Sequence, residues 1–356
     1  MKIRLGVVFG GKSDEYYVSI HSAGNVIRAL DEDKYDITKI GITREGRWYV
    51  TKATAEDIEE NKWIYNDGNR QCVIPHDPTV GGILVFDDTD TATVRKIDCF
   101  VPVLHGDHGE DGEIQGLFGL CEIPYVGSGV KASANCMDKT CAKHLAKLAG
   151  VKMAKDYVVR ASDYERDPEA ELAAAKAEHG NKYPLFVKPS SSGSSVGVTK
   201  VKSEDQLQAA IEEALKYDRK VLVEKCIVGR EVEMAVLGNE HPVASSLGEV
   251  LSGEEFYTYE AKYINPASET VVVTDLPDEV IDEFKATAIA IYKELDCRGL
   301  ARVDFFYSED GEVIFNEVNT LPGFTDISMY PMLWRADGLP TNELMDRLIE
   351  LALENK

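Results

Sequence analysis

Short apolar runs alternate along this chain with longer segments that carry apolar residues at helical spacing. Residues 3–9, 35–42 and 100–104 have the composition of buried strands, and residues 19–30 have helical spacing. Strands that alternate with helices are typical of α/β proteins with mostly parallel sheets. The chain is therefore predicted to be an α/β protein, and its 356 residues are enough for about two to three domains.

The order of these segments divides the chain into three predicted domains. The first covers residues 1–128, the second residues 129–227 and the third residues 228–356. Residues 52–95 are acidic and have no clear periodicity, so they are predicted to be an irregular insertion in the first domain. No chemistry is assigned to that insertion.

The charge balance argues against two classes of partner. The 39 Lys and Arg residues against 62 Asp and Glu residues give a net charge of −23. Proteins that bind nucleic acids or anionic membrane surfaces depend on clusters of Lys and Arg, so neither partner is predicted. No apolar run approaches the ~20 residues that span a bilayer, and the run at 3–9 is too short for a signal peptide.

The cysteines and histidines do not follow a metal-binding or disulfide pattern. The seven cysteines are scattered and never form a C-x-x-C pair, and the seven histidines include no H-E-x-x-H motif. Disulfide frameworks and zinc sites need such recurring short spacings. The cysteines are therefore predicted to be reduced thiols of a cytoplasmic protein, and a zinc enzyme is disfavoured.

Two glycine motifs match nucleotide-binding patterns only in their letters. Residues 6–13 read G-V-V-F-G-G-K-S, which fits the P-loop pattern, but three of the four intervening residues belong in the core of a strand. Residues 127–132 resemble a dinucleotide fingerprint, but no strand ends in Asp or Glu at the expected offset. The first motif is interpreted as a strand and the second as a tight turn between domains.

A predicted hairpin near the C-terminus carries the strongest chemical signal. Arg302 and Asp304 lie on its first strand, and Glu317 and Asn319 lie on its second. Because side chains alternate along a strand, all four face one side of the hairpin. Two carboxylates and an amide oxygen suit Mg²⁺, which also binds phosphate oxygens and water. The alternative is a surface hairpin with solvated charges, which the apolar residues on its opposite face disfavour.

Lysines and a small-residue loop form the second component. Lys188 ends an apolar strand and is followed by a Ser- and Gly-rich loop over 190–197. Such a loop lets backbone N–H groups approach phosphates closely, although flexible linkers have a similar composition. Lys139 is less informative, because it could equally be a solvated helix residue. Glu224 ends another apolar strand, where its carboxylate could accept a hydrogen bond from adenine while the backbone of Ile227 contacts the ring edge.

On these residues the chain resembles the ATP-grasp superfamily and, within it, the D-alanine–D-alanine ligases. The resemblance covers nearly the whole chain. Its motifs are residues 10–19, 104–116, 137–139, 187–197, 259–263 and 316–323. It implies a three-domain ATP-grasp fold with an N-terminal parallel-sheet (pre-ATP-grasp) domain, and a lid over 254–263 in the third domain.

The resemblance also implies an ATP site and a metal site. The implied ATP-binding residues are Lys139, Lys188 and Lys262 for the phosphates, Ser195 in the Ser/Gly loop, Glu224 and Ile227 for adenine, and Glu231 for the ribose. The implied metal ligands are Asp304, Glu317 and Asn319, which would hold two Mg²⁺ ions, with Mn²⁺ as a substitute.

The remaining implied roles concern the amino-acid substrates. Glu15 would bind the ammonium group of the first D-alanine with His105 nearby, and Ser328 and Met329 would hold the carboxylate of the second. Arg302 and the Gly323 N–H would face the oxyanion. Glu15, Ser194 and Tyr263 would form a hydrogen-bonded clasp between the domains. The resemblance also implies a homodimer that forms D-alanyl-D-alanine for peptidoglycan synthesis, in the cytoplasm that the cysteines predict.

The sequence leaves three alternative functions open. Tyr16 and the long first domain resemble the D-alanine–D-serine branch of vancomycin-resistance enzymes, but Met329 stands where D-serine ligases generally carry Arg. The lid sequence at 260–263, with Tyr263 present, further favours D-alanine in both sites over D-serine or D-lactate. A different ATP-grasp ligase and a non-catalytic nucleotide-binding protein are the other two alternatives.

Overall fold

A computed structural model describes residues 1–194, 196–251 and 269–354. The predicted site residues Ser195, Lys262 and Tyr263, and the predicted lid over 254–263, lie outside these described residues. No helix within the described ranges combines the length and the apolar character needed to cross a membrane.

The N-terminal part is built on a sheet whose centre is parallel. Its strands are β1 (Ile3–Gly10), β2 (Tyr35–Ile42), β3 (Trp48–Thr51), β4 (Arg70–Val73), β5 (Gly82–Phe86), β6 (Ala92–Lys96) and β7 (Cys99–Val103), and its helices are α1 (Tyr16–Ala29), α2 (Ala55–Glu59) and α3 (Glu113–Leu120). The strand order is β6-β5-β4-β3-β2-β1-β7, and β1 pairs in parallel with both β2 and β7. The predicted parallel arrangement is confirmed for these three strands.

The segment 52–95 is not irregular, so that prediction is wrong. Strands β4, β5 and β6 extend the sheet by antiparallel pairing, and α2 and a 3₁₀ turn at Trp63–Tyr65 precede them. Every residue of the edge strand β6 is exposed. An exposed edge strand needs no apolar face, so its sequence gives only a weak strand signal.

The central part contains an antiparallel sheet. Its helices are α4 (Val130–Met137), α5 (Lys139–Ala146), α6 (Ala161–Arg166), α7 (Pro168–Glu178) and α8 (Glu204–Ala214), and its strands are β8 (Asp156–Arg160), β9 (Leu185–Pro189), β10 (Thr199–Val201) and β11 (Lys220–Lys225). The order is β10-β9-β11-β8, and all three pairings are antiparallel. The expectation of mostly parallel sheets therefore fails here.

The C-terminal part carries a second antiparallel sheet. Its strands are β12 (Gly229–Gly238), β13 (Val243–Leu251), β14 (Glu269–Val272), β15 (Gly299–Ser308) and β16 (Val313–Asn319), and its helices are α9 (Asp278–Glu294), α10 (Met329–Ala336) and α11 (Thr341–Leu353). The order is β14-β13-β12-β15-β16. The predicted hairpin at 302–319 is confirmed as β15 and β16.

The hydrophobic core continues from one end of the chain to the other. Leu344 and Leu348 of α11 belong to the same buried cluster as Leu5 of β1 and Val101 of β7. The N-terminal sheet and the C-terminal helices therefore share a core, which fixes the loops between them. The domain boundaries predicted at 128 and 227 stay predictions.

The structure also decides how the two glycine motifs fold. Val7, Val8 and Phe9 are buried within β1, and Lys12 beyond the strand is exposed. A phosphate-wrapping loop over 6–13 is therefore excluded. Gly127 lies in a turn before α4 with φ of +112°, close to Gly299, in keeping with the interpretation as a tight turn.

Candidate active site

Two adjoining cavities bring most of the predicted site residues together. The first has a volume of about 400 Å³, and its lining includes Glu15, His105, Lys139, Ser194, Arg302, Glu317, Asn319, Gly323, Ser328 and Met329. The second has a volume of about 110 Å³, and its lining includes Lys139, Lys188, Ser194, Glu231, Asp304 and Glu317. Lys139, Ser194 and Glu317 line both, so the two cavities meet at these side chains.

The hairpin of β15 and β16 places four polar side chains side by side. Arg302 pairs with Asn319 across the strands and Asp304 pairs with Glu317, with an irregularity directly after Asp304. Asn319 Nδ2 donates to Asp304 Oδ2 at 2.9 Å, and Arg302 Nε lies 2.7 Å from Asp304 Oδ1. The alternation argument therefore predicted the right face.

The residues at the hairpin fit a divalent cation. Asp304 is only 7% exposed, and Glu317 and Asn319 lie next to it on the paired strand. A buried carboxylate needs a cation or hydrogen-bond donors beside it. Arg302 supplies such a charge to Asp304, and Lys139 Nζ lies 3.1 Å from Glu317 Oε2. The oxygen donors of Asp304, Glu317 and Asn319 form the ligand chemistry that Mg²⁺ prefers.

The two described lysines of the predicted ATP site both point toward this hairpin. Lys139 Nζ also donates to the Ser192 carbonyl at 2.7 Å, which ties it to the Ser/Gly loop. Lys188 Nζ lies 3.5 Å from Asn316 Oδ1 on β16 and 2.8 Å from Glu224 Oε2 on β11. Burial alone would lower the pKa of Lys188, but the Glu224 carboxylate raises it. Lys188 therefore keeps its positive charge at the site, and its contacts and those of Lys139 hold both side chains beside the hairpin.

Asp138 lies in the motif at 137–139, but no role was predicted for it. It is the N-cap of α5, and its Oδ1 accepts the Thr140 N–H at 3.1 Å and the Cys141 N–H at 3.2 Å. It also accepts the Ser190 hydroxyl at 2.6 Å and forms an ion pair with Lys220. Burial would raise the pKa of Asp138, but Lys220 and Ser190 lower it to about 2. The carboxylate therefore joins the start of α5, which carries Lys139, to the Ser/Gly loop.

Glu224 is held between two lysines. Its Oε2 pairs with Lys188, and its Oε1 pairs with Lys143 of α5. Burial would raise the pKa of Glu224, but the two ammonium groups lower it to about 2. Glu224 and Ile227 line neither of the two cavities, whereas Glu231 lines the second.

Glu15 lies directly against the Ser/Gly loop. A Cβ at Gly193 would come within 2.6 Å of Glu15 Oε1, and one at Gly106 within 3.2 Å. A Cβ at Gly193 would displace the Glu15 carboxylate, and Gly106, with φ of +67°, has a backbone conformation that favours glycine. Ser194, with φ of +47°, follows in the loop and lines both cavities. Tyr263, the third member of the predicted clasp, lies outside the described residues.

His105 connects the N-terminal sheet to the loop after β16. Its Nδ1 lies 2.8 Å from the Leu321 carbonyl, so Nδ1 carries the proton and donates it. The Ser22 hydroxyl lies 3.3 Å from Nε2 and itself accepts the Phe324 N–H at 3.0 Å. Burial lowers the pKa of His105, which favours this neutral form. His105 lines the first cavity, but both ring nitrogens bind protein atoms.

Glu110, in the motif at 104–116, is a further buried carboxyl group for which no role was predicted. Its Oε2 accepts the Gly106 N–H at 2.9 Å, and its Oε1 accepts the Leu321 N–H at 3.0 Å. Burial raises the pKa of Glu110 to about 8, and the nearby Glu15 carboxylate adds to the rise. The only sequence signal was a Glu within a glycine-rich turn after a buried strand. Its partner at Leu321 is distant along the chain.

The predicted second-substrate residues lie at the start of α10. Ser328 is the N-cap of that helix, and its Oγ accepts the Thr325 N–H at 2.9 Å. A Cβ at Gly323 would lie 2.8 Å from the same Oγ. Met329 is buried against Gly248 of β13, where a Cβ would overlap its sulfur. The turn from 323 to 329 therefore forms one wall of the first cavity.

Two protein-family models match the chain, one over its N-terminal part and one over its C-terminal part. The model for the D-ala D-ala ligase N-terminus matches residues 4–128, and the model for the C-terminus matches residues 145–350. This chain belongs to the D-alanine–D-alanine ligase family. Members of this family are ATP-dependent ligases, so the protein is an enzyme that uses ATP, a divalent metal and small-molecule substrates.

Individual members of the family agree with that assignment. A D-alanine–D-alanine ligase from Geobacillus thermodenitrificans is 45% identical over 99% of this chain and 96% of its own length. The crystal structure of the VanG D-Ala:D-Ser ligase from Enterococcus faecalis is 38% identical, with a TM-score of 0.90 over 99% of this chain and all of its own. The structure of the D-alanine–D-alanine ligase from Coxiella burnetii is 36% identical, with a TM-score of 0.84 over 99% of this chain and 94% of its own.

Proposed function

We propose that this protein joins two D-alanine molecules into D-alanyl-D-alanine, with ATP converted to ADP and phosphate, for peptidoglycan precursor synthesis. The observation that carries the proposal is the convergence of the hairpin carboxylates with Lys139 and Lys188 beside a cavity that Glu15 and Arg302 also line. That arrangement joins a site for phosphates to a site for a small amino acid. The full-length relatives named as D-alanine–D-alanine ligases support the same substrates.

The first step requires a carboxylate to approach a triphosphate. The carboxylate oxygen of the first D-alanine attacks the γ-phosphorus, the bond to ADP breaks, and D-alanyl phosphate forms. Lys139 and Lys188 offset the repulsion between these like charges. Glu15, against Gly193, binds the ammonium group of the first D-alanine and orients its carboxylate. Asp304, Glu317 and Asn319 would hold two Mg²⁺ ions, or Mn²⁺ as a substitute, which supply further neutralisation of the phosphates.

The second step forms the peptide bond. The amine of the second D-alanine, after losing its proton, attacks the carbonyl carbon of D-alanyl phosphate, and phosphate leaves from the tetrahedral intermediate. Arg302 and the Gly323 N–H face the oxygen on which negative charge develops, and donors in that position stabilise the intermediate. Ser328 and the Met329 backbone hold the carboxylate of the second substrate.

The direct test is a reaction with purified components. The protein is incubated with ATP, Mg²⁺ and D-alanine, and released phosphate and dipeptide are both quantified. Dipeptide formation supports the proposal, and no dipeptide at saturating substrates rejects it. ATP binding without turnover would instead favour a non-catalytic nucleotide-binding protein.

A second candidate is D-alanine–D-serine ligation. The likeness to the VanG D-Ala:D-Ser ligase, at a TM-score of 0.90, favours it as an alternative. Met329, which is buried at the proposed second-substrate position, favours D-alanine. A panel of D-alanine, D-serine and D-lactate as second substrates separates the two candidates, and a wider panel of carboxylates and amines tests for a different ATP-grasp ligase.

The proposal includes a cytoplasmic homodimer. The absence of cysteine pairs in C-x-x-C spacing agrees with a reducing compartment. Sedimentation analysis of the purified protein tests the dimer, and a single monomeric species would remove that part of the proposal.

A further inference from the structure

Lys143 is a buried lysine for which the proposed reaction has no use. It lies one helical turn after Lys139 on α5, and its side chain is only 2% exposed. A lysine at this depth is costly unless its charge is compensated. Lys143 and its partner Glu224 line neither of the two cavities, whereas Lys188 lines the second.

The surroundings of Lys143 point to one main partner. Its Nζ forms an ion pair with Glu224 Oε1, lies 3.3 Å from the Ala154 carbonyl, and lies 3.9 Å from Asp156 Oδ2. Glu224 is 3% exposed and its other oxygen pairs with Lys188 at 2.8 Å. One buried carboxylate thus lies between two ammonium groups of different depth.

Bound ATP would affect Lys188 and Lys143 differently. Lys188 lines the second cavity and lies 3.5 Å from Asn316 on the metal-site hairpin, so it can shift toward a phosphate. Such a shift weakens its pair with Glu224. Leaving a buried carboxylate without a cation is strongly unfavourable. Lys143, outside the cavities, is placed to keep its pair with Glu224 throughout.

We propose that Lys143 is a positioning residue for nucleotide recognition, which holds the Glu224 carboxylate in place for the adenine amino group while Lys188 turns to the phosphates. The inference rests on the ligase function proposed above and on the adenine contact that the family resemblance implies for Glu224. It predicts that Lys143 acts on the base of the nucleotide and not on the amino-acid substrates. A purely structural lysine would have no such selectivity.

The test compares ATP with inosine triphosphate, which has a carbonyl where adenine has the amino group. We expect Lys143→Met to raise the KM for ATP roughly 10- to 100-fold, the usual cost of leaving a buried polar partner unsatisfied. The KM for D-alanine should stay unchanged, and the preference for ATP over inosine triphosphate should fall. Lys143→Arg should restore most of that preference, and the exposed Lys147→Met serves as the matched control.

Two outcomes would overturn the inference. One is an unchanged KM for ATP in Lys143→Met. The other is an equal loss of activity with both nucleotides, which would indicate a structural role. If Lys143→Met does not fold, the double variant Lys143→Met/Glu224→Gln removes the two charges of this ion pair together, and its nucleotide preference should equal that of Glu224→Gln alone. A further loss in the double variant would contradict action through Glu224.

Glu224→Gln separates this inference from the proposed function. If Glu224→Gln loses the preference for ATP while Lys143→Met keeps it, only the inference about Lys143 fails. If Glu224→Gln keeps the preference, the proposed adenine contact fails. D-alanine-dependent turnover, measured in the same assays, tests the ligase activity independently of both.

Discussion

At the residue scale, Glu110 illustrates how burial sets the state of a carboxyl group. It lies between the Gly106 and Leu321 N–H groups beside the Glu15 carboxylate, and its pKa is raised to about 8, chiefly by burial. A carboxyl whose pKa is higher in the folded state binds its proton more tightly there. Its contribution to stability is therefore complete at pH values below the ordinary pKa of 4.5 and is lost as the pH rises through about 8.

The first prediction concerns the pH dependence of stability. The free energy of unfolding should decline between pH 5 and pH 8 in the wild type, and Glu110→Gln should flatten that decline because the amide cannot ionise. Urea unfolding at several pH values measures this, with the exposed Glu309→Gln as the control. Parallel curves for Glu110→Gln and the wild type would show that Glu110 does not titrate as expected.

The second prediction concerns Arg302. Its guanidinium lies 2.7 Å from Asp304 and 3.0 Å from Glu233, which aims it at the first cavity. Arg302→Ala should lower kcat by roughly 10²- to 10³-fold, since that is the usual effect of removing one oxyanion donor. Steady-state kinetics measure the loss, and the exposed Arg347→Ala is the control. Turnover near the wild-type rate would remove the proposed oxyanion role.

The third prediction concerns the choice of the second substrate. Met329 is buried against Gly248, so Arg at this position replaces an apolar wall of the proposed pocket with a charged hydrogen-bond donor. Met329→Arg should raise the yield of D-alanyl-D-serine relative to D-alanyl-D-alanine. Competition between the two amino acids, followed by product analysis, measures the ratio. A ratio equal to that of the wild type would count against the pocket assignment.

Local spacing predicts which candidate site residues share a face, but it does not predict contacts between residues that are distant along the chain. Asp304 and Glu317 were placed together because alternation along two strands joined by a short turn requires it. Glu110 is held by Leu321, 211 residues away, and Lys143 is held by Glu224, 81 residues away. No local pattern encodes those pairs, so the contacts of Glu110 and Lys143 appear only in the three-dimensional structure.

At the element scale, the segment 52–95 packs against and supports helix α1, which begins directly after Glu15. Trp63 is fully buried, with its ring 5.2 Å from that of Phe9 and against Gly41 of β2, where a Cβ would overlap it. Its Nε1 donates to the Tyr16 hydroxyl at 3.1 Å, and that hydroxyl donates to Asn61 at 2.7 Å. The insertion was predicted to be irregular because the sequence shows neither these contacts nor an alternating pattern in its strands.

The fourth prediction tests whether the segment 52–95 supports α1. Trp63→Ala should lower the free energy of unfolding by about 3–5 kcal/mol, the usual cost of truncating a buried aromatic residue. The KM for D-alanine should rise as well, because Tyr16 directly follows Glu15. Tyr65→Ala, at a residue that is 80% exposed on the same turn, is the control. Equal stabilities for the two variants would mean that the segment does not support α1.

At the scale of the whole molecule, the two cavities depend on packing between parts of the chain that are far apart in sequence. Helix α11 shares a core with the N-terminal sheet, and His105 and Glu110 both bind the loop at Leu321. The alternation of strands and helices predicted an α/β fold and a parallel N-terminal centre. It did not predict the antiparallel sheets of the other two parts, because strand direction depends on connections that periodicity does not encode.

The central claim is that the two cavities together couple ATP cleavage to peptide-bond formation between two D-alanines. The most direct measurement is the ratio of ADP to D-alanyl-D-alanine in one reaction with ATP, Mg²⁺ and D-alanine, repeated after chelation of the metal. One ADP should form for each dipeptide, and neither product should form once the metal is removed. ADP without dipeptide, or dipeptide that forms without ADP, would contradict it.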